Sequence, residues 1–402
     1  MNNFKTIYQY EFKKLMKRKL VWITLSVCIL MIAVMTLVKL TGSYYVEGEL
    51  IGSHYQMFLV DREYQRALTG RKIDQELLEE TVMAWRKIPS TLVHYMLTEE
   101  YQTYARQYYD IFYLILSWTK MDFSAAISWE PDEEAFYAAR TQLLEADWQD
   151  LRLSETEKDF WREKESQLNT PLTYFLHKGY TMSLEAIMTV GVLILMFVSI
   201  CLSGVFAEEH SRRTDQLMLS TAKGKSTVYW AKMSAGISLA FACSVLMTLL
   251  TVIPVLTIYG WEGFQTPLQI EFKIYSYPLT MGQACLIAYA ILTITAVLMS
   301  VFVMFLSEVL HSGIASMAVS TGLIIAGGAI TIPDQYRTLA QLWDSLPTSF
   351  LTTWNIFSAR PLTLFGHCFA SWQYVPVIYV LCTVLIAAVG KQVFERYQVS
   401  GR

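Results

Sequence analysis

Charge is thin in this sequence and cysteine is scarce. Only 17% of the 402 residues are Asp, Glu, Lys or Arg, against about 25% in an ordinary soluble domain. The net charge of −3 provides no basic excess of the kind a nucleic-acid partner requires. The cysteines are Cys28, Cys201, Cys243, Cys285, Cys368 and Cys382, none of them in the polar stretch 42–180 and no two in a CxxC pair. That spacing implies neither a zinc site nor a disulfide framework and reads as small buried hydrophobes. Ten prolines and nineteen glycines carry no sign of disorder. Catalytic spacings are missing too. His54, His94, His177, His210, His311 and His367 form no HExxH, and no GxSxG elbow occurs. No catalytic residue, metal site or cofactor is therefore expected.

One string imitates an ATPase. Gly224-Lys225-Ser226-Thr227 resembles the tail of a phosphate-binding loop, which needs GxxxxGK[ST] between a strand and a helix. Leu219 stands where the first glycine must be. The string also lies in a short connection between two apolar runs, where no nucleotide domain fits. The chain is not expected to hydrolyse ATP.

Apolar residues are abundant, at 53%, and they are concentrated. A bilayer core of about 30 Å takes about 20 apolar residues as helix, with every backbone group paired inside the segment. Six stretches qualify, at 20–40, 184–206, 233–258, 282–306, 312–332 and 374–390. The run 109–118, "YDIFYLILSW", is too short and carries Asp110, so it reads as a buried core helix. Lys and Arg collect on the cytoplasmic side of spans. Lys5, Lys13, Lys14, Lys17, Arg18 and Lys19 precede the first stretch, Arg212, Arg213, Lys223 and Lys225 lie between the second and third, and Lys391, Arg396 and Arg402 follow the sixth. The alternate short connections hold only Lys273 in one, and Arg337 and Arg360 in the other. Six spans with both termini cytoplasmic, in the cell membrane, satisfy these counts. A cleaved leader is not expected, because the first apolar run is too long and no A-x-A-like site follows it.

The fold class expected is an all-α integral membrane protein with six transmembrane helices and a large, mainly helical extracytoplasmic domain between spans one and two. Residues 1–19 form a cytoplasmic amphipathic connecting helix, 20–41 the first span, 42–181 the extracytoplasmic domain, and 182–402 the remaining five spans. The last region includes a cytoplasmic coupling loop at 207–227 and a re-entrant or interfacial segment at 333–372. Helical spacing of apolar residues in "LEADWQDLRL" and "TEKDFWREKESQL" supports the helical domain. The tyrosines of "HYMLTEEYQTYARQYYDIFY" read as packing against a neighbouring helix or the membrane interface, with a ligand surface as the alternative.

The 207–227 loop has its own logic. Glu208 and Glu209 suit a first helical turn, Leu217, Met218 and Leu219 follow, Lys223 sits near the helix end, and Gly224 is a terminator. Ser226 or Thr227 then caps the next helix. The expectation is a short cytoplasmic helix that docks a partner through Glu208, Glu209, Arg212, Arg213, Asp215, Leu217, Met218, Leu219, Lys223, Gly224 and Lys225. A solvated connector is the plainer alternative. Lys39 and Glu185, near the outer ends of spans one and two, are at similar depth and form a candidate charge pair, although each can also snorkel to the surface. Lys232 and Glu308 at inner ends are read as snorkelling.

Three motifs resemble those of a known family. "YQYEFKKLMKRK" is similar to an interfacial connecting helix, "FAEEHSRRTDQLMLSTAKGKSTVYWAK" to a cytoplasmic loop that begins acidic and turns at Gly-Lys, and "TPLTYFLHKGYTMSLEAI" to the start of a second span behind a large outer loop. With the six-span layout, the chain resembles the permease subunit of a type-2 ATP-binding-cassette exporter. The resemblance implies two permease subunits, identical or related, enclosing a pathway in membrane lipid. It also implies separate ATPase subunits that push on the loop and switch the spans between two states. The competing reading is a membrane-anchored ligand sensor or scaffold that does not transport.

Overall fold

The computed structural model describes residues 2–88, 95–212, 224–333 and 335–396. The chain is mostly helical. Helix α1 (Asn2–Met16) turns at Lys17–Arg18 into α2 (Lys19–Val38). A hairpin of β1 (Ser43–Val46) and β2 (Glu49–Ser53) leads into a helical domain. Its helices are α3 (His54–Leu68), α4 (Gln75–Trp85), α5 (Tyr109–Thr119), α6 (Phe123–Ser128), α7 (Glu133–Asp150) and α8 (Glu155–Ser166). The apolar part follows with α9 (Lys178–Glu185), α10 (Ile187–Leu202), α11 (Ala207–Arg212), α12 (Gly224–Tyr259), α13 (Met281–Leu310) and α14 (Gly313–Ala329). Two short helices, α15 (Arg337–Asp344) and α16 (Thr353–Ile356), and a hairpin of β3 (Leu362–Leu364) and β4 (His367–Phe369) precede α17 (Ser371–Arg396). Both hairpins are antiparallel.

Among the described residues, five helical segments are long and apolar enough to cross a membrane: Lys19–Val38, Ile187–Glu209 (α10 continued through the turn at 203–206 into α11), Ser226–Tyr259, Met281–Leu310 and Ser371–Arg396. The sixth stretch expected, 312–332, yields only α14, with 17 residues. At 1.5 Å per residue that is about 26 Å, short of a bilayer core of about 30 Å. Its backbone leaves the helix at Ile330, which is extended with ψ 129°, ahead of Pro333. Pro333 disfavours helical backbone at Ile332 and has no N–H to offer the Ala329 carbonyl, so the helix cannot run on past it.

The spans do not share one environment. α10 is the most enclosed, with Val190, Ile194, Leu195 and Val198 fully buried. α2 and α17 lie at the rim and expose Ile23, Leu30 and Val34, and Val377, Leu381 and Val384. Apolar surface of this kind on a span-length helix is what lipid solvates. Helix starts follow the local sequence. Thr280 caps α13 in a capping box with Gln283, and Ser312 caps α14 through the Ala315 N–H.

The domain between the first two spans has cores of its own. One gathers Leu77, Leu78, Ile111, Leu114, Ile115, Trp118 and Phe136. Another surrounds Trp85, stacked on Phe112 with centroids 4.0 Å apart. The 109–118 run supplies both as α5, an 11-residue helix buried on Ile111, Phe112, Leu114, Ile115 and Trp118. Burying each such side chain contributes roughly 1.5–3 kcal/mol, which is why an apolar run of this length is stable without a membrane. The domain is seated on the spans at Gly179, where an added Cβ would collide with the Gly260 carbonyl oxygen. No side chain larger than hydrogen fits that approach between α9 and the end of α12.

Candidate functional site

The strongest concentration of buried charge lies at the end of the spans where α1 meets α2. On α1, Glu11 and Lys14 are three residues apart and Arg18 follows four later, so all three fall on one side of the chain. Leu15, 3% exposed, holds the same side against the apolar core. Opposite stand Glu208 and Glu209, where α10 gives way to α11, and Lys232, two turns into α12.

Lys232 is the centre. Its side chain is fully enclosed, and its Nζ donates to Glu11 Oε2 at 3.0 Å and to Glu209 Oε1. Lys14 Nζ donates to Glu209 Oε1 at 2.8 Å. Glu11 and Glu209 are each 7% exposed. The inner cluster therefore balances two carboxylates against two ammonium groups. A more open pair stands beside it: Arg18 donates to Glu208 Oε2 at 3.0 Å and to the Cys201 carbonyl at 3.5 Å. Burial pulls the Lys14 ammonium down, but its hydrogen bond and charge contact with Glu209 outweigh that and hold it above its ordinary value.

Neutral contacts extend the knot. Tyr8 donates to Ser238 on α12 at 3.0 Å. Ser307 on α13 accepts from the Phe206 and Ala207 N–H groups at 3.2 and 3.0 Å. These bonds satisfy orphan donors at the start of α11, so the turn between α10 and α11 is pinned to α13. The arrangement has the parts of a mechanical fastener, in which α1, α11 and α12 are cross-linked by charge at one level. Removing Lys232 leaves Glu11 and Glu209 enclosed with only Lys14 beside them, the costly case for a buried pair.

Several expectations meet the structure here. Lys232 and Glu308 do not snorkel; both are 1% exposed and point into the bundle. The reason for Lys232 is that two carboxylates are already waiting there, and a satisfied buried ammonium needs no route to water. Glu208 and Glu209 stand at the start of α11 as read, but Glu209 faces inward to Lys232 rather than outward to a partner. α11 is described as far as Arg212, and Gly224 and Lys225 lie within α12. Gly224 is therefore not the terminator expected, and Ser226 and Thr227 lie inside the helix rather than capping it. Val228 and Tyr229, just beyond, are buried against the bundle. Arg213, Asp215, Leu217, Met218, Leu219 and Lys223 lie outside the described residues. The connection that contains them is entered by α11 and left by α12, both held by the knot.

At the far end of α2 is the other charged contact. Lys39 Nζ donates to Glu185 Oε2 at 3.1 Å and touches Met182 Sδ at 3.5 Å. Both side chains are half exposed.

Glu11 and Lys14 were not legible as a site, because the basic residues around them read as an orientation signal. The available clue was Lys232 itself, since a lysine within an apolar run calls for a named partner. All six cysteines are free, four of them buried. Among the described residues, no group of three or more His, Cys, Asp or Glu is placed to hold a metal ion. The chain matches no protein-family model and no curated protein.

Proposed function

We propose that the chain is the membrane-spanning subunit of a type-2 ATP-binding-cassette exporter. In this reading it forms the substrate pathway with a second permease subunit, identical or related, and is driven by a separate ATPase subunit. α14 serves as the sixth span, short enough that 333–372 dips into the interface to complete it. Both termini and the 207–227 loop face the cytoplasm, and the 42–181 domain faces outside the cell membrane.

The observation that supports this most is the charge knot. A partner pushing on residues 213–223 acts on two helices, α11 and α12, whose near ends are cross-linked to each other and to α1. Force on the connection is then delivered to three elements as one body. Catalysis would remain with the ATPase, and this chain would contribute the lever.

The test is Leu217→Asp with Leu219→Asp. Each leucine burial contributes roughly 1.5–3 kcal/mol, and Asp adds a desolvation penalty at an apolar contact, so docking should weaken tenfold or more. The double variant leaves every Lys and Arg in place and should insert and express normally, yet lose co-purifying ATPase. Retention of the ATPase at wild-type stoichiometry would make the loop a solvated connector and move the coupling role to α1.

A further inference from the structure

The domain between the first two spans contains a cavity of about 380 Å³, within the range of small-molecule sites. Its walls come from distant parts of the chain: β1, α3, the 96–110 stretch and the first residue of α9. Charge in the lining is balanced, with Asp61 and Asp110 against Arg106 and Lys178, and the remaining wall is mostly aromatic and thioether.

The charges differ in how far they are already engaged. Arg106, 8% exposed, is spent: it donates to Asp61 Oδ1 at 2.6 Å, to the Met57 carbonyl at 2.8 Å and to Gln102. Asp110 Oδ2 accepts from Gln65 at 2.8 Å and from Tyr174 at 2.6 Å, which clamps the carboxylate in place. Among the described residues, Asp110 Oδ1 has no hydrogen-bond donor and Lys178 has no ion pair, although both line the cavity. Glu271 feels the Lys178 charge but bonds His177 instead. Asp61 Oδ2 also lacks a donor among these residues, but that carboxylate already has its countercharge in Arg106, so the Asp110 edge and the Lys178 ammonium are the two open charges, beside the faces of Tyr44, Phe58, Tyr101 and Tyr109.

We propose that this cavity binds a small zwitterion with an apolar side group, of dipeptide size, its ammonium at Asp110 and its carboxylate at Lys178. A ligand of one sign would satisfy one open group and leave the other desolvated without a partner, which is unfavourable. A neutral ligand would desolvate both. The aromatic walls suit an apolar side chain, and the clamp on Asp110 is in place before the ligand arrives, which reduces the ordering cost of binding. The site does not depend on the transporter reading, because a sensor would need it equally.

The test is calorimetric titration of the full chain, purified in detergent without an ATPase, with the dipeptide Leu-Phe. Three blocked forms serve as controls: N-acetyl-Leu-Phe, Leu-Phe-amide and N-acetyl-Leu-Phe-amide. Leu-Phe should bind, and each single block should weaken binding about tenfold or more. Lys178→Gln should abolish the preference for Leu-Phe over Leu-Phe-amide while leaving the amide's affinity unchanged. Asp110→Asn should do the same for the N-acetyl comparison. If Asp110→Asn fails to fold, Lys178→Gln still decides, because Lys178 has no ion pair to lose. Absence of Leu-Phe binding up to about 10 mM, equal binding of all four forms, or an unchanged preference in Lys178→Gln would each overturn the proposal.

Discussion

The two ends of α2 carry ion pairs built from the same chemistry and placed in opposite surroundings. At the Arg18 end, Lys232, Glu11 and Glu209 are enclosed and satisfy one another. At the Lys39 end, Lys39 and Glu185 meet at 3.1 Å with both side chains half exposed. Distance alone does not separate them, since Lys232 reaches Glu11 at 3.0 Å. Burial does. An exposed pair gains about 0–1 kcal/mol, because water screens it and solvates either partner left alone. Breaking a buried pair costs about 3–5 kcal/mol, because the abandoned charge has no water to turn to. The first end is a fastener and the second is a surface contact.

The largest effect is expected from Lys232→Met. It leaves Glu11 and Glu209 facing each other with only Lys14 between them, and should lower stability by about 3–5 kcal/mol. Thermal unfolding in detergent should show a marked drop in midpoint or a loss of folded protein. Adding Glu11→Gln restores the balance to one Lys14–Glu209 pair and should recover much of the loss. A double variant no better than Lys232→Met would mean that the lysine acts through packing rather than charge.

A pair outside the spans allows an intermediate test that pH can switch. His177 Nδ1 bonds the Phe175 carbonyl at 2.8 Å, and Nε2 faces Glu271 at 3.3 Å. A carbonyl on one nitrogen and a carboxylate on the other both ask for a proton. Burial lowers the His177 pKa, but the Glu271 hydrogen bond and the Asp110 and Glu271 charges outweigh it and raise the value above the ordinary one. For Glu271, burial raises the pKa, but the bond to His177 and nearby positive charges bring it below the ordinary value. The histidine contribution to stability is thus complete below its unfolded pKa of about 6.5 and is lost as pH rises through the higher folded value. The glutamate contribution is complete above about 4.3 and is lost as pH falls through the lower folded value. Thermal midpoints of wild type and His177→Gln should therefore differ most near pH 5 to 6 and converge at alkaline pH, where the imidazole is neutral. A gap that is constant with pH would assign His177 a packing role only.

The smallest effect is expected from Lys39→Met, within about 0–1 kcal/mol. Whatever difference it makes should shrink as salt is raised, since exposed charges are screened over about 8–10 Å at physiological ionic strength. A loss approaching that of Lys232→Met would show that the Lys39–Glu185 contact is enclosed in the assembled protein, by lipid or by a second subunit, and would erase the contrast between the two ends.

Much of the architecture was readable from residue order. The apolar runs beginning at 20, 184, 233, 282 and 374 each became a helix of spanning length, and 109–118 became a buried core helix. Length and hydropathy are local properties, and the backbone pairs within each helix. The short α14 was harder to read, because a run of apolar residues says how much surface must be buried but not where the helical hydrogen bonding stops. The place of Gly224 was hard to read for a related reason. Gly224 is a good helix terminator in isolation, and only the buried face from Val228 onward shows that the helix it belongs to is the next one.

The site was less legible than the fold. Lys14 and Arg18 were read for their sign, Lys232 for its depth, and Glu11 not at all. The sequence by itself determined that this is a membrane protein of long apolar helices with a separate helical domain after the first, since those features follow from composition within each segment. Only the tertiary structure decided that Lys232 is paired between Glu11 and Glu209, that Lys39 and Glu185 stay half in the open, and that Asp110 and Lys178 line one cavity. Residues 11, 209 and 232 are remote in the chain, and the energy of a charge is set by what surrounds it in space rather than by its neighbours in order.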